Sequence, residues 1–149
     1  MRYRFIDSTF DADTLISTAT IEHGNCQYTG QTKVAKEDMD KISKYTGCRF
    51  AEMKAEILML KDELRKAKFN YKICQDFIKS VSCLKSFDKE SQSAKAAYRQ
   101  LNKRKQVVEM LEIELETKRN DFLIAIQQRD IVTRAIQRKK DKEAQVKNS

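Results

Sequence analysis

The residues that could do chemistry are few and scattered. There is one histidine, His23, so imidazole acid–base catalysis or a His-based metal site has a single group to work with. His23 stands beside Gly24-Asn25 and reads as a neighbour of a turn. The four cysteines, Cys26, Cys48, Cys74 and Cys83, lie 22, 26 and 9 residues apart. No C-x2-C pair is among them, so the ligand spacing of a zinc site is missing. Asp38 and Asp40 fall where a helix would begin, and its positive dipole end accounts for both. Glu112 and Glu116 stand four apart, as pairs on many solvated helix faces do. The glycine-rich phosphate loops and the G-x-S-x-G nucleophile elbow are absent. With no nucleophile beside a base, the sequence predicts a protein that is not an enzyme and that carries no cofactor and no metal.

Binding is the alternative, and the charge gives it a direction. Lys and Arg number 30 against 22 Asp and Glu, a formal charge of +8 and a pI of about 9.3. The excess is uneven. Residues 1–34 hold 3 basic and 4 acidic side chains (net −1), residues 35–88 hold 12 and 9 (net +3), and residues 89–149 hold 15 and 9 (net +6). The tightest basic clusters are Lys103, Arg104 and Lys105, and Arg138, Lys139 and Lys140. Phosphate contacts need only such cations along one face. No zinc finger, RNP signature or helix-turn-helix is present, so DNA or RNA would be bound without regard to sequence. The mixed acids and bases also suit an ordinary salt-bridged helix surface. In the N-terminal part Tyr3, Phe5, Phe10 and Tyr28 are candidate anchors for a protein partner, or a cover for one end of the helices.

The elements that carry these groups follow from composition and periodicity. The 149 residues contain no Pro and 3 Gly, where average usage would give roughly 7 and 10. Long helices are favoured over a loop-rich or many-turned β fold. No run of 18 apolar residues is present, so no membrane span is expected. The N-terminus lacks a secretory pattern, which points to the cytoplasm and to reduced thiols.

The first 35 residues read as a β unit. Leu15–Ile21 is rich in β-branched residues and Cys26–Val34 alternates, with the Gly24-Asn25 turn pair between them. A β-hairpin is predicted, with Tyr3–Ile6 as a candidate third strand. Residues 36–149 read as helical. A short helix is predicted over 36–45, and Gly47 is its terminator or a kink before the next helix. From about 49 to 82, Phe50, Met53, Ile57, Leu60, Leu64, Ala67, Tyr71, Cys74, Ile78 and Val81 follow alternating steps of three and four. That period specifies a left-handed coiled-coil seam. Ser82–Ser93 reads as a turn, with Ser86 or Asp88 as a cap.

A second long helix follows, from about 88 to about 142, with Leu111, Leu115 and Phe122 on its seam. Arg104, Lys118 and Arg129 interrupt that seam. Val107, Met110, Ile113, Leu123, Ile124, Ile126 and Ile131 make its apolar face wider than one partner helix needs. The tail from Arg138 is expected to fray. The fold class is therefore mostly α, an N-terminal β-hairpin followed by a long antiparallel helical hairpin. The excess apolar face predicts a homodimer.

Residues 28–55 carry a resemblance. A strand with Gly30 and Thr32 leads to Asp38 and Asp40, then Gly47, then a helix opening with Ala51, Lys54 and Ala55. This resembles a stretch recurring in small phage and prophage accessory proteins of low-GC bacteria, although the Pro often found before the acid pair is missing. The resemblance implies an accessory protein that acts in the host cell cytoplasm by stoichiometric binding. It would inhibit a host immunity nuclease, such as a CRISPR effector, redirect a polymerase or assist replication. It transfers no catalytic or binding residue. The competing expectations are a DNA- or RNA-binding accessory protein and a structural coiled-coil component of a virion.

Overall fold

A computed structural model describes residues 2–34 and 44–148. Strands β1 (Arg4–Asp11), β2 (Ile16–His23) and β3 (Cys26–Lys33) form an antiparallel sheet in the order β1-β2-β3. Helix α1 runs over Lys44–Ser82 and helix α2 over Gln92–Lys147. The fold is mostly α with a β start, as expected. The hairpin is the second half of a three-stranded meander, and β1 extends well past Ile6.

The turns follow from single residues. Gly24 has φ +62° and Asn25 is not among the positive-φ residues, the pattern of a type II′ hairpin turn with Gly first. At the β1–β2 turn the Asp13 amide (2.9 Å) and the Thr14 amide (3.4 Å) donate to Asp11 Oδ1. The Leu15 amide donates to the Asp11 carbonyl at 2.8 Å. Leu15 closes this turn at φ +59°, left-handed backbone that favours glycine. Between Phe5 and Asp7 the register shifts, leaving a bulge in β1, a device that blunts an edge strand.

The predicted helix over 36–45 and the pair Asp38 and Asp40 fall on or beside 35–43, outside the described residues. Lys44 and Tyr45 belong to α1. Gly47 neither ends nor separates helices but lies inside α1. Helix α2 starts later than expected and persists to Lys147, so the tail from Arg138 is helical. Its cap is Ser91, whose Oγ accepts from the Ala94 amide at 3.2 Å, while Asp88 Oδ1 accepts from the Glu90 amide at 3.0 Å.

The chain forms two compact units, Met1–Met59 with Thr117–Ser149, and Leu60–Glu116. In the first, Ser17, Ala19 and Ile21 of β2 and Gly30 of β3 are buried along with Ala51, Ala55 and Met59 of α1. A Cβ at Gly30 would collide with the Ala51 carbonyl and the Ala55 amide, and one at Gly47 with Ser17 Oγ. Thr32 Oγ1 donates to the Gly47 carbonyl at 2.9 Å. Small residues thus let strand and helix backbones approach closely. The start of α1 meets α2 through the edge-to-face rings of Phe50 and Phe122, 6.1 Å apart.

In the second unit Leu60, Ile78, Ala94, Leu111 and Leu115 are buried. There Lys68 meets Glu112 at 3.5 Å, and Arg104 Nη1 donates to the Asn70 carbonyl at 2.9 Å. Residue numbers that rise on one helix and fall on the other make the pairing antiparallel. Every predicted seam position of α1, from Phe50 to Val81, is buried or half-buried.

Candidate interaction surfaces

The densest polar cluster belongs to the first unit and combines groups from three elements. Tyr3, just before β1, donates its hydroxyl to Glu52 Oε1 at 2.7 Å and shares it with Glu56 Oε1. Arg49 Nη1 lies 3.1 Å from Glu52 Oε2 and 3.8 Å from Glu56 Oε1. Lys118 of α2 pairs with Glu56 Oε2 at 2.6 Å. Burial, reinforced by the Glu56 and Glu52 carboxylates, pushes the Tyr3 hydroxyl far above its ordinary pKa. Burial alone would lower that of Arg49, but its bond to Glu52 leaves it above the ordinary value. Glu56 is 2% exposed, and two cations balance two carboxylates. The arrangement holds β1, α1 and α2 together and leaves no open face for a substrate at Glu56.

The three cations that interrupt the α2 seam all find partners: Arg104 the Asn70 carbonyl, Lys118 the Glu56 carboxylate, and Arg129 the ring of Phe50, 5.4 Å from its centroid. Arg129 also pairs with its neighbour Asp130 at 3.1 Å.

The basic clusters do not form one face. Arg104 turns into the seam, while Lys103 and Lys105 flank it on either side, exposed. Arg138, Lys139 and Lys140 are exposed on consecutive positions of α2, which point in three directions. Of the aromatic candidates, Tyr3 is committed to the carboxylates. Phe10 stands opposite Ser17, and Phe5 and Tyr28 opposite Ile21. Directly opposed residues share a sheet face, so these three lie on the face of the buried β2 residues. Phe10 and Tyr28 are half-buried, and Phe5 stays exposed. His23 Nδ1 lies 2.9 Å from the Arg2 carbonyl. None of the four cysteines is in a disulfide.

The second unit carries two exposed surfaces, of which the sequence points only to Val107, Met110 and Ile113. The first is apolar. Phe77, Val81, Leu84, Ala97 and Tyr98 line a groove of about 270 Å³ at the helical turn. Phe69, Ile73 and Phe77, each four residues from the next, are exposed along α1, as are Val107, Met110 and Ile113 on α2. The second is cationic. Lys61, Arg65, Lys68, Lys72 and Lys79 follow steps of 4, 3, 4 and 7 along α1, all exposed. Reading the seven-residue period at positions outside the seam would have found it. No helix among the described residues is long and apolar enough to cross a membrane. No protein-family model matches the chain, and no match is found among curated proteins or among solved structures.

Proposed function

We propose that this chain is a non-enzymatic accessory protein, of the kind phages encode, that binds a host protein or nucleoprotein complex. A bacterial immunity nuclease such as a CRISPR effector is the target class the resemblance of residues 28–55 suggests, and inhibition by occupancy is the mode. One observation carries the reading: large apolar side chains of the second unit are left uncovered. Phe77 is 62% exposed, Met110 68% and Ile113 68%. Val107, Met110 and Ile113, three residues apart, form an exposed apolar ridge along one side of α2, and apolar surface of this kind marks sites where another protein docks. Glu109, Glu112 and Glu116 border Met110 and Ile113, so the fitting partner presents an apolar centre with cations around it. A second copy of this chain, the homodimer expected from sequence, is the alternative occupant of this ridge.

The test is capture from host lysate with tagged protein, with and without nuclease treatment, alongside the variant Phe77→Ser/Met110→Ser/Ile113→Ser. A defined protein retained after nuclease and lost from the variant is the expected result. Loss of all captured material on nuclease treatment, or equal capture by the variant, overturns the reading.

A further inference from the structure

We infer that the cationic row of α1 is a binding track for the phosphodiester backbone of nucleic acid. The row lies wholly within the second unit. From Lys61 to Lys79 it covers 18 residues, about 27 Å at ~1.5 Å per residue. Its five cations follow alternating helical steps with one gap, at Gln75, so they stay on one side of the helix. Arg65 is shared with Asp62 at 2.8 Å, and Lys68 with Glu112 at 3.5 Å. Lys61, Lys72 and Lys79 are exposed and have no ion pair among the described residues. The Lys68–Glu112 contact shows which side of α2 adjoins the row. Lys105, one heptad before Glu112, is exposed on that same side.

A line of cations suits a linear polyanion, which carries its charges at regular intervals. A flat anionic bilayer fits less well. Laid against this side it would also meet Glu109, Glu112 and Glu116 of α2, whereas a single strand or one edge of a duplex groove can follow α1 alone. Nothing in the row reads base edges, so the binding is independent of sequence. The row does not include the residues that wall the apolar groove, so this inference and the proposed protein binding stand or fall separately.

The test is fluorescence anisotropy with a mixed-sequence 20-nucleotide strand and its duplex, between 50 and 200 mM salt. With about four phosphates contacted, affinity should fall on the order of 100-fold over that range. Lys61→Gln/Lys72→Gln/Lys79→Gln should weaken binding at least tenfold at 50 mM salt and flatten the salt dependence. Arg138→Gln/Lys139→Gln/Lys140→Gln, which removes the same charge, should change it little. Circular dichroism establishes that both variants keep their helicity. Equal losses in the two variants would mean diffuse charge attraction and overturn the assignment. So would absence of binding at 50 mM salt, or binding to phosphatidylserine vesicles without binding to either nucleic acid.

Discussion

At the scale of single residues, glycines with different surroundings give different expectations. Gly24 has an open environment and φ +62°, so Gly24→Ala should cost only the left-handed strain of about 1 kcal/mol. Gly30 has no room for a Cβ between β3 and the α1 backbone. Gly30→Ala should therefore cost at least the ~1–3 kcal/mol typical of overpacking, with urea denaturation midpoints ranking the two variants. Equal losses would show that α1 can move off the sheet. Asp11 carries a pH expectation. The backbone amides of Asp13 and Thr14 hold its pKa below the usual carboxylate value. The unfolded chain then binds this proton more readily than the folded one. The stabilisation is in full force above pH ~4, the unfolded value, and is lost as pH falls through the lower folded value. Asp11→Asn should flatten that part of the stability–pH curve, and a curve unchanged by the substitution would remove Asp11 from the account.

At the scale of elements, the question is what fixes the alignment of α1 and α2. The apolar seam sets their facing sides, but a seven-residue repeat also tolerates a slip of one heptad. Lys118 on Glu56 and Arg104 on the Asn70 carbonyl each select one alignment. Glu56→Gln should cost roughly 3 kcal/mol, because it breaks an ion pair at a carboxylate shut off from solvent. Lys118→Met should cost less, since Arg49 and Tyr3 still face Glu56. The double variant should fall short of the sum, and a double-mutant cycle measures the shortfall. Strict additivity would mean that the two groups do not act on one another. The seam itself was legible because ten uncharged positions repeat without a break. Arg104, Lys118 and Arg129 were legible only as exceptions, since their partners belong to the opposite helix and no spacing within α2 names them. Nothing in the sequence singles out Glu56, because the groups that enclose it, Tyr3 and Lys118, are distant in sequence. The β1 strand was underread because its exposed residues show no alternation of apolar and polar side chains. The close approach at Gly30 and Gly47 was visible as a pattern of small residues before its packing role was.

At the scale of the whole molecule, the two units differ in how much apolar surface each removes from water. Ala19, Ile21, Ala51 and Ala55 are fully buried and Met59 is 1% exposed, all in the first unit, where sheet and helix cover each other. The second unit is a pair of helices whose buried residues, apart from Leu60, retain 5–8% exposure, and it leaves Phe69, Phe77, Met110 and Ile113 open. Helical backbone bonds protect amides only while the helix stays closed, and closure depends on packing more than on propensity. Local opening free energies should accordingly be lower in the second unit than in the first. Native-state hydrogen exchange read by mass spectrometry checks this. Peptides from β2 and from residues 50–59 should exchange slowest, and peptides from residues 72–100, around the turn between the helices, markedly faster. A partner docked on the apolar groove should slow exchange in those last peptides and leave β2 unchanged. Uniform protection across both units in the free protein would mean that the exposed side chains of the second unit are already covered in solution by a second copy. That result would support the homodimer expected from the sequence.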